Sequence, residues 1–323
     1  MGVEGQMLTK YAANMSLLFA LLFAPGAHAG SILFIGNSFT FGQGSPVKFY
    51  RTETVTDLNG EGLGGVPALF KSFTTQAGLD YDVSLETHPG IDLEWHLEHE
   101  LVVIDRRPWD AVVLQSYSTL DAKKPGDPAQ LIESVGRLAA VFRAKNPRVE
   151  LRLTATWPRA DLTYVAGGAW YGKPIEAMAQ DIRAGYDRAA AATRGIRGVI
   201  PVGEAFVRAM HAGVADADPY DGIEAGKVDL WSYDHYHASA YGYYLEALMI
   251  FGSVTGRDPR SLSASECSGY ELGLSQAQVG SLQQVAFDEL VADGVIGAAV
   301  NGRAAAGKAG TPARCAPAHQ PAH

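Results

Sequence analysis

The sequence predicts an α/β fold, a three-layer α/β/α sandwich with a mostly parallel central sheet. Two short apolar runs, at 32–35 and 111–114, read as strands buried on both faces, and 150–156 reads as a third central strand. Helical stretches fall between these runs, so strands and helices alternate as a parallel sheet with crossovers requires. No internal repeat and no linker divides the chain, so a single domain over 30–300 is the simplest account.

The chain opens with its clearest strand. Ile32 to Ile35 are apolar, Gly36 ends the run, and Asn37-Ser38 stand at its carboxyl end, where ligands bind in open α/β sheets. Residues 41–65 are rich in Gly, Thr, Asp and Asn and read as a long loop lining a site. A helix is expected over 66–77, with Pro67 tolerated in its first turn. The stretch 81–85 alternates as a strand, His88-Pro89-Gly90 is a turn, and 93–100 is helical with Trp95 and His96 inside it. The strand at 111–114 ends at Gln115-Ser116. Asp127-Pro128 opens a helix to about residue 144, which Asn146-Pro147 stops. The third strand ends at Trp157-Pro158, and 161–173 is a Gly- and aromatic-rich loop. A helix anchored by Met178, Ile182 and Tyr186 runs from Pro174 to about 193. A short strand at 198–202, a helical turn at 204–211 and an acidic loop at 212–230 precede an apolar helix over 238–254. In the last helix, 275–290, Val279, Leu282, Val285, Ala286 and Leu290 share a face.

The ends read differently. Lys10 precedes an apolar run from Met15 to Ala24, Pro25-Gly26 break it, and Ala27-His28-Ala29 fits a small-x-small cleavage site. The run is far shorter than the roughly 20 residues of a membrane span. Residues 1–29 are therefore expected to be a signal peptide, with a secreted or periplasmic mature chain and no stable membrane insertion. The Ala/Gly/Pro-rich stretch 301–323 is expected to be a disordered tail. Cys267 and Cys315, the only cysteines, could form one disulfide after export. The formal net charge of -9 and the lack of a Lys/Arg track argue against nucleic acid as a partner. Gly42-Gln43-Gly44 follows the first strand without the spacing of a nucleotide-binding loop.

Chemistry-bearing residues cluster at strand ends and in loops: Ser38, Gly90, Gln115 and Asp234-His235-Tyr236-His237. A serine needs a base to take its proton, and a histidine titrating near neutrality suits that task. A carboxylate then fixes the imidazole tautomer. From the residues alone, His235 and His237 are equal candidates for the base. His88, His96, Trp157 and the loop aromatics Tyr164, Trp170 and Tyr171 could line a pocket.

Gly36-Asn37-Ser38-Phe39-Thr40 resembles the first block of the SGNH (GDSL-type) hydrolases, and Asp234-His235-Tyr236-His237 resembles their last block, Asp-x-x-His. The resemblance extends over 32–256. Residues 237–245 also resemble a His-x-Ser-x-x-Gly-x-Tyr-Leu pattern of one poorly characterised branch. It implies a flavodoxin-like fold and a serine hydrolase acting on esters, in a family that includes lipases, acyl-thioesterases and carbohydrate deacetylases. It further implies Ser38 as nucleophile, His237 as base and Asp234 as its acid, with no metal and no cofactor. Two features depart from the family pattern. The glycine that helps hold the oxyanion is matched by position at Gly90. The asparagine of the third block is absent, and Gln115 stands there as an expected replacement donor. The expected substrate is a small-molecule, glycan or polymer ester. Two rivals remain. A metal-dependent phosphoesterase would draw on Asp229, Asp234, His235 and His237, but the first strand ends in Asn-Ser and not in Asp. The other is a secreted binding protein that retains the fold without catalysis.

Overall fold

The computed structural model describes residues 30–297. Its first strand, β1 (Gly30–Gly36), became central because all of its residues from 32 to 35 are apolar and both of its faces can be buried. Ile32 and Phe34 enter one core, Leu33 and Ile35 the other. Five more strands complete the sheet: β2 (Thr56–Asp57), β3 (Tyr81–Thr87), β4 (Ala111–Leu114), β5 (Glu150–Ala155) and β6 (Ile196–Pro201). Their order is β2-β3-β1-β4-β5-β6 and every pairing is parallel. With the two-residue edge strand set aside, this is the flavodoxin-like order. The chain leaves β1 on one side and returns to β4 on the other, so the strand order switches between β1 and β4.

Eight helices cover the sheet or carry the site: α1 (Ser38–Phe41), α2 (Gly65–Gln76), α3 (Leu93–His99), α4 (Ala129–Lys145), α5 (Ile175–Ala192), α6 (Val202–His211), α7 (Ala240–Thr255) and α8 (Gln276–Ala292). Leu69, Phe73, Phe206, Tyr243, Phe251 and Leu282 show that α2, α6, α7 and α8 cover the Ile32 face. Leu97, Leu138 and Ile182 show that α3, α4 and α5 cover the Leu33 face. The sandwich is thus three layers deep, as expected. The apolar helix α7 is buried nearly all round, with its start fixed by Ser239 accepting from the N–H groups of Tyr241 and Gly242. A capping box at Ser275 and Gln278 starts α8.

Some local expectations changed. The long loop at 41–65 holds two 3-10 turns, Pro46–Phe49 and Thr52–Thr54, and the edge strand β2. Two residues are too few for a periodic signal, so β2 had none to read. The expected turn at 204–211 is a full helix from Val202, with Val202, Ala205, Phe206, Ala209 and Met210 on its buried stripe. In the loop at 161–173, Ala160–Thr163 form one helical turn, and Trp170 is buried and donates to Asp181 at 2.8 Å. Among the described residues no helix is long and apolar enough to cross a membrane. Cys267 is not a free thiol. The expected signal peptide, the tail at 301–323 and Cys315 lie outside the described residues.

Candidate active site

The turn that ends β1 is held from several directions. Asn37 has extended dihedrals (φ -130°) and caps α1, its Oδ1 accepting from Phe39 N–H at 3.1 Å. Its Nδ2 donates to Ile91 O at 2.8 Å and to Ser116 O at 3.3 Å, tying the turn to the loops after β3 and β4. Gly36 has no room for a side chain: a Cβ there would lie 2.1 Å from Thr40 Oγ1 and 2.7 Å from Gln115 Oε1. Ser38 is the first residue of α1, and Tyr243 Oη on α7 donates to Ser38 O at 3.2 Å and Gln43 O at 2.9 Å. The Phe39 ring stacks on Trp157 at 4.0 Å, which seats the turn on the end of β5.

The segment before α7 brings an imidazole to that turn. His237 Nε2 lies 3.0 Å from Ser38 Oγ, and His237 Nδ1 lies 2.6 Å from Asp234 Oδ2. Asp234 Oδ1 accepts from the backbone N–H groups of Tyr236 at 3.1 Å and His237 at 2.9 Å. One carboxylate therefore folds the turn and faces the ring. Burial of Asp234 pushes its pKa up, but the hydrogen bonds from the His237 ring and from these two backbone groups outweigh it and hold the carboxyl below its ordinary value. The turn is closed behind by Ser232 N–H donating to His237 O at 2.7 Å, and by Trp157 Nε1 donating to Tyr236 O at 3.1 Å. Ser38 and His237 are 5% and 9% exposed, so the serine and its imidazole partner are largely withdrawn from water. The three side chains stand at the carboxyl ends of the strands, beside the point where the strand order switches.

The fold recurs in a solved structure. A DUF4886 family protein from Bacteroides uniformis is 17% identical, with TM-score 0.55 over 81% of this chain and 95% of that one. The two chains share a fold. A lipase/acylhydrolase from Enterococcus faecalis (18% identical, TM-score 0.44, 71% and 96% covered) and a family 3 carbohydrate esterase from Clostridium thermocellum (17%, 0.44, 69% and 94%) are similar at lower scores. No protein-family model and no curated protein sequence matches this chain.

Within this fold the remaining expected site residues take distinct places. His235 does not reach Ser38. It adopts φ +51°, and its ring lies against Tyr220 at 4.3 Å. Gly90 sits in an exposed turn at φ +71°, just before Ile91, whose carbonyl Asn37 holds. Gln115 requires a correction. Its Oε1 accepts from Asn37 N–H and Thr40 Oγ1, each at 3.0 Å, and its Nε2 donates to Ser116 O. The amide is a buried tether that ties the end of β4 to the turn of Ser38, and Gln115 N–H donates to Ile35 O of β1 at 2.9 Å. Trp157 is a buried support beneath Phe39, and Trp170 belongs to the core, so neither forms a platform for a ligand. Tyr236 instead lies beside His237 at 4.1 Å between ring centroids, with the Arg159 guanidinium 3.6 Å from the centre of the Tyr236 ring. Arg159 is paired with Asp161 and donates to Ser118 Oγ.

Sequence reasoning missed Tyr243, Ser232 and Arg159, which support the site through contacts that only the folded chain brings together. Tyr243 fell at an unspecified position of the 237–245 pattern, whose tyrosine is Tyr244, so nothing in the sequence singled it out. Among the described residues no group of three or more His, Cys, Asp or Glu side chains is placed to hold a metal ion.

Proposed function

We propose that the protein is a serine hydrolase that cleaves esters through an acyl-enzyme. The observation that carries this is the continuous chain Ser38 Oγ, His237 Nε2, His237 Nδ1, Asp234 Oδ2, at 3.0 and 2.6 Å. Ser38 Oγ attacks the ester carbonyl as His237 Nε2 takes its proton. Asp234 keeps the Nδ1–H tautomer and stabilises the imidazolium. The tetrahedral intermediate collapses, and His237 returns the proton to the departing alcohol. Water then attacks the acyl-enzyme with the same histidine as base, and Ser38 regains its proton as the acid leaves.

The negative oxygen needs donors. Ser38 N–H is in the first turn of α1, where backbone N–H groups have no intrahelical acceptor, and Gly90 N–H is assigned as the second. Loss of one such donor typically costs about 3–4 kcal/mol of transition-state stabilisation. The apolar leader and its small-residue cleavage site support export, and the substrate is then an ester of a small molecule, glycan or polymer outside the cytoplasm. Incubation with a fluorophosphonate probe tests the reading. A single adduct on Ser38, absent from Ser38→Ala and unaffected by EDTA, is expected. Folded protein that takes no adduct and hydrolyses no chromogenic ester refutes it, and activity lost on chelation favours the phosphoesterase.

A further inference from the structure

A second carboxylate–imidazole pair lies behind the turn of Ser38. Glu86 on β3 and His96 on α3 are both fully buried, and Glu86 Oε2 contacts His96 Nδ1. Glu86 stands opposite Ile35 in the β1–β3 register, one residue short of the turn. A fully buried carboxylate is costly unless it is paired and hydrogen-bonded, so its placement here needs a reason.

The other side of the imidazole supplies one. His96 Nε2 lies 3.1 Å from Gly36 O, the last carbonyl of β1. A carbonyl can only accept, so Nε2 donates to it, and a second proton shared between Nδ1 and Glu86 Oε2 ties the ring to the carboxyl group. The ladder bond to the same carbonyl, from His88 N–H, is long at 3.3 Å. His96 therefore takes over the carbonyl as β1 leaves the sheet. Around the pair, Asn59 Nδ2 lies 3.4 Å from Glu86 Oε1, and His88 Nε2 lies 3.4 Å from Glu86 Oε1 and 3.6 Å from Glu100.

The helix that carries His96 begins just after Gly90. Asp92 caps it, and the Ile91 carbonyl between the two is the one that Asn37 holds. The loop of Gly90 and the turn of Ser38 are thus joined at two points, Asn37 to Ile91 and His96 to Gly36.

We propose that Glu86 and His96 are positioning residues that lock the Ser38 turn against the Gly90 loop, and so fix the nucleophile relative to the oxyanion donors. The proposal rests on the serine-hydrolase reading of Ser38. A misplacement of about 1 Å at a reacting group can cost on the order of 100-fold in rate. The pair acts on the transition state and not on ground-state binding, so its loss lowers kcat and leaves KM in place.

The test compares His96→Gln, whose amide reaches where Nε2 stood, with His96→Leu, which fills the space without a donor. Both are assayed on a chromogenic acetate ester beside wild type and Ser38→Ala, with melting curves. His96→Leu is expected to lose 10- to 100-fold in kcat with KM within threefold, and His96→Gln to recover at least half of that loss on a logarithmic scale. If His96→Leu does not fold, the same comparison is made at Glu86, where Gln still offers a partner to Nδ1 and Leu does not. The proposal is overturned if the Gln and Leu variants behave alike, if the loss lies in KM, or if both variants stay within twofold of wild type. An active Ser38→Ala overturns the nucleophile assignment instead. Variants at wild-type level with an inactive Ser38→Ala overturn the clamp alone.

Discussion

Replacing Asp234 by Asn changes one atom and reverses the proton order of the whole chain of side chains. In the wild type, Oδ1 accepts two backbone N–H groups and Oδ2 faces His237 Nδ1 at 2.6 Å. The asparagine keeps its oxygen on the two backbone donors, because its NH₂ cannot accept them. The NH₂ then faces Nδ1, which must become an acceptor. The ring proton moves to Nε2, 3.0 Å from Ser38 Oγ, and an imidazole protonated there cannot take the serine proton. The equivalent change in a serine protease lowers kcat by about 10⁴. The Asp234 side chain is 28% exposed, so water partly replaces the lost charge. We therefore expect a loss of roughly 10³- to 10⁴-fold, or about 4–5.5 kcal/mol in barrier. The backbone contacts survive, so the melting temperature should hardly move. Steady-state hydrolysis of a chromogenic acetate ester, the rate of fluorophosphonate labelling and a thermal melt read all three quantities. A variant that melts like wild type and keeps kcat within tenfold of it would refute the tautomer argument.

Contacts around the site, and a separate half-buried acid, set further expectations. Gly36→Ala puts a Cβ against Thr40 and Gln115, so it should cost about 1–3 kcal/mol in urea unfolding and displace Ser38 enough to abolish labelling; a wild-type labelling rate contradicts this. Gln115→Leu leaves the buried Asn37 N–H without its acceptor, so stability should fall by about 1–3 kcal/mol together with kcat. A drop in kcat at unchanged stability would restore Gln115 to the oxyanion. Glu204 is pushed up to about 7, first by burial, with Arg183 opposing the shift. Folded Glu204 therefore holds its proton where the unfolded chain has lost it, and stability declines as pH rises from about 4.5 to 7. Glu204→Gln should remove a decline on the order of 3 kcal/mol, read as a widening stability gap over wild type between pH 5 and pH 8. A gap that stays constant across that range sinks the assignment.

The strands and the three layers were legible because β1 and β4 are short and apolar throughout, a pattern that suits only two-sided burial. Ser38, Asp234 and His237 were legible because each belongs to a local block, Asp234 and His237 within three residues. What could not be read depends on register across the sheet. Gln115 looked like a donor by its place in the chain, but only the pairing of Ile35 with Leu114 shows that its amide meets Asn37 and Thr40. Glu86 is hidden in a strand that otherwise alternates, and nothing in one dimension sets it beside a histidine on the next helix. Trp170 lies in a Gly-rich stretch that reads as exposed loop, yet its indole is drawn inward by Asp181 on α5. The choice between His235 and His237 turned on backbone dihedrals, since φ +51° at His235 swings its ring away toward Tyr220.

Asp234 serves as both the fold of its turn and the partner of its imidazole. Acid and base therefore travel as one rigid piece, and no distortion of the surrounding loops can separate them without first unfolding that turn. Only one gap in the assembly is adjustable, the 3.0 Å between Ser38 Oγ and His237 Nε2, across partners 199 residues apart in the chain. Any drift that tunes or silences this protein over evolutionary time has to act on that single joint, through β1 on one side or the start of α7 on the other.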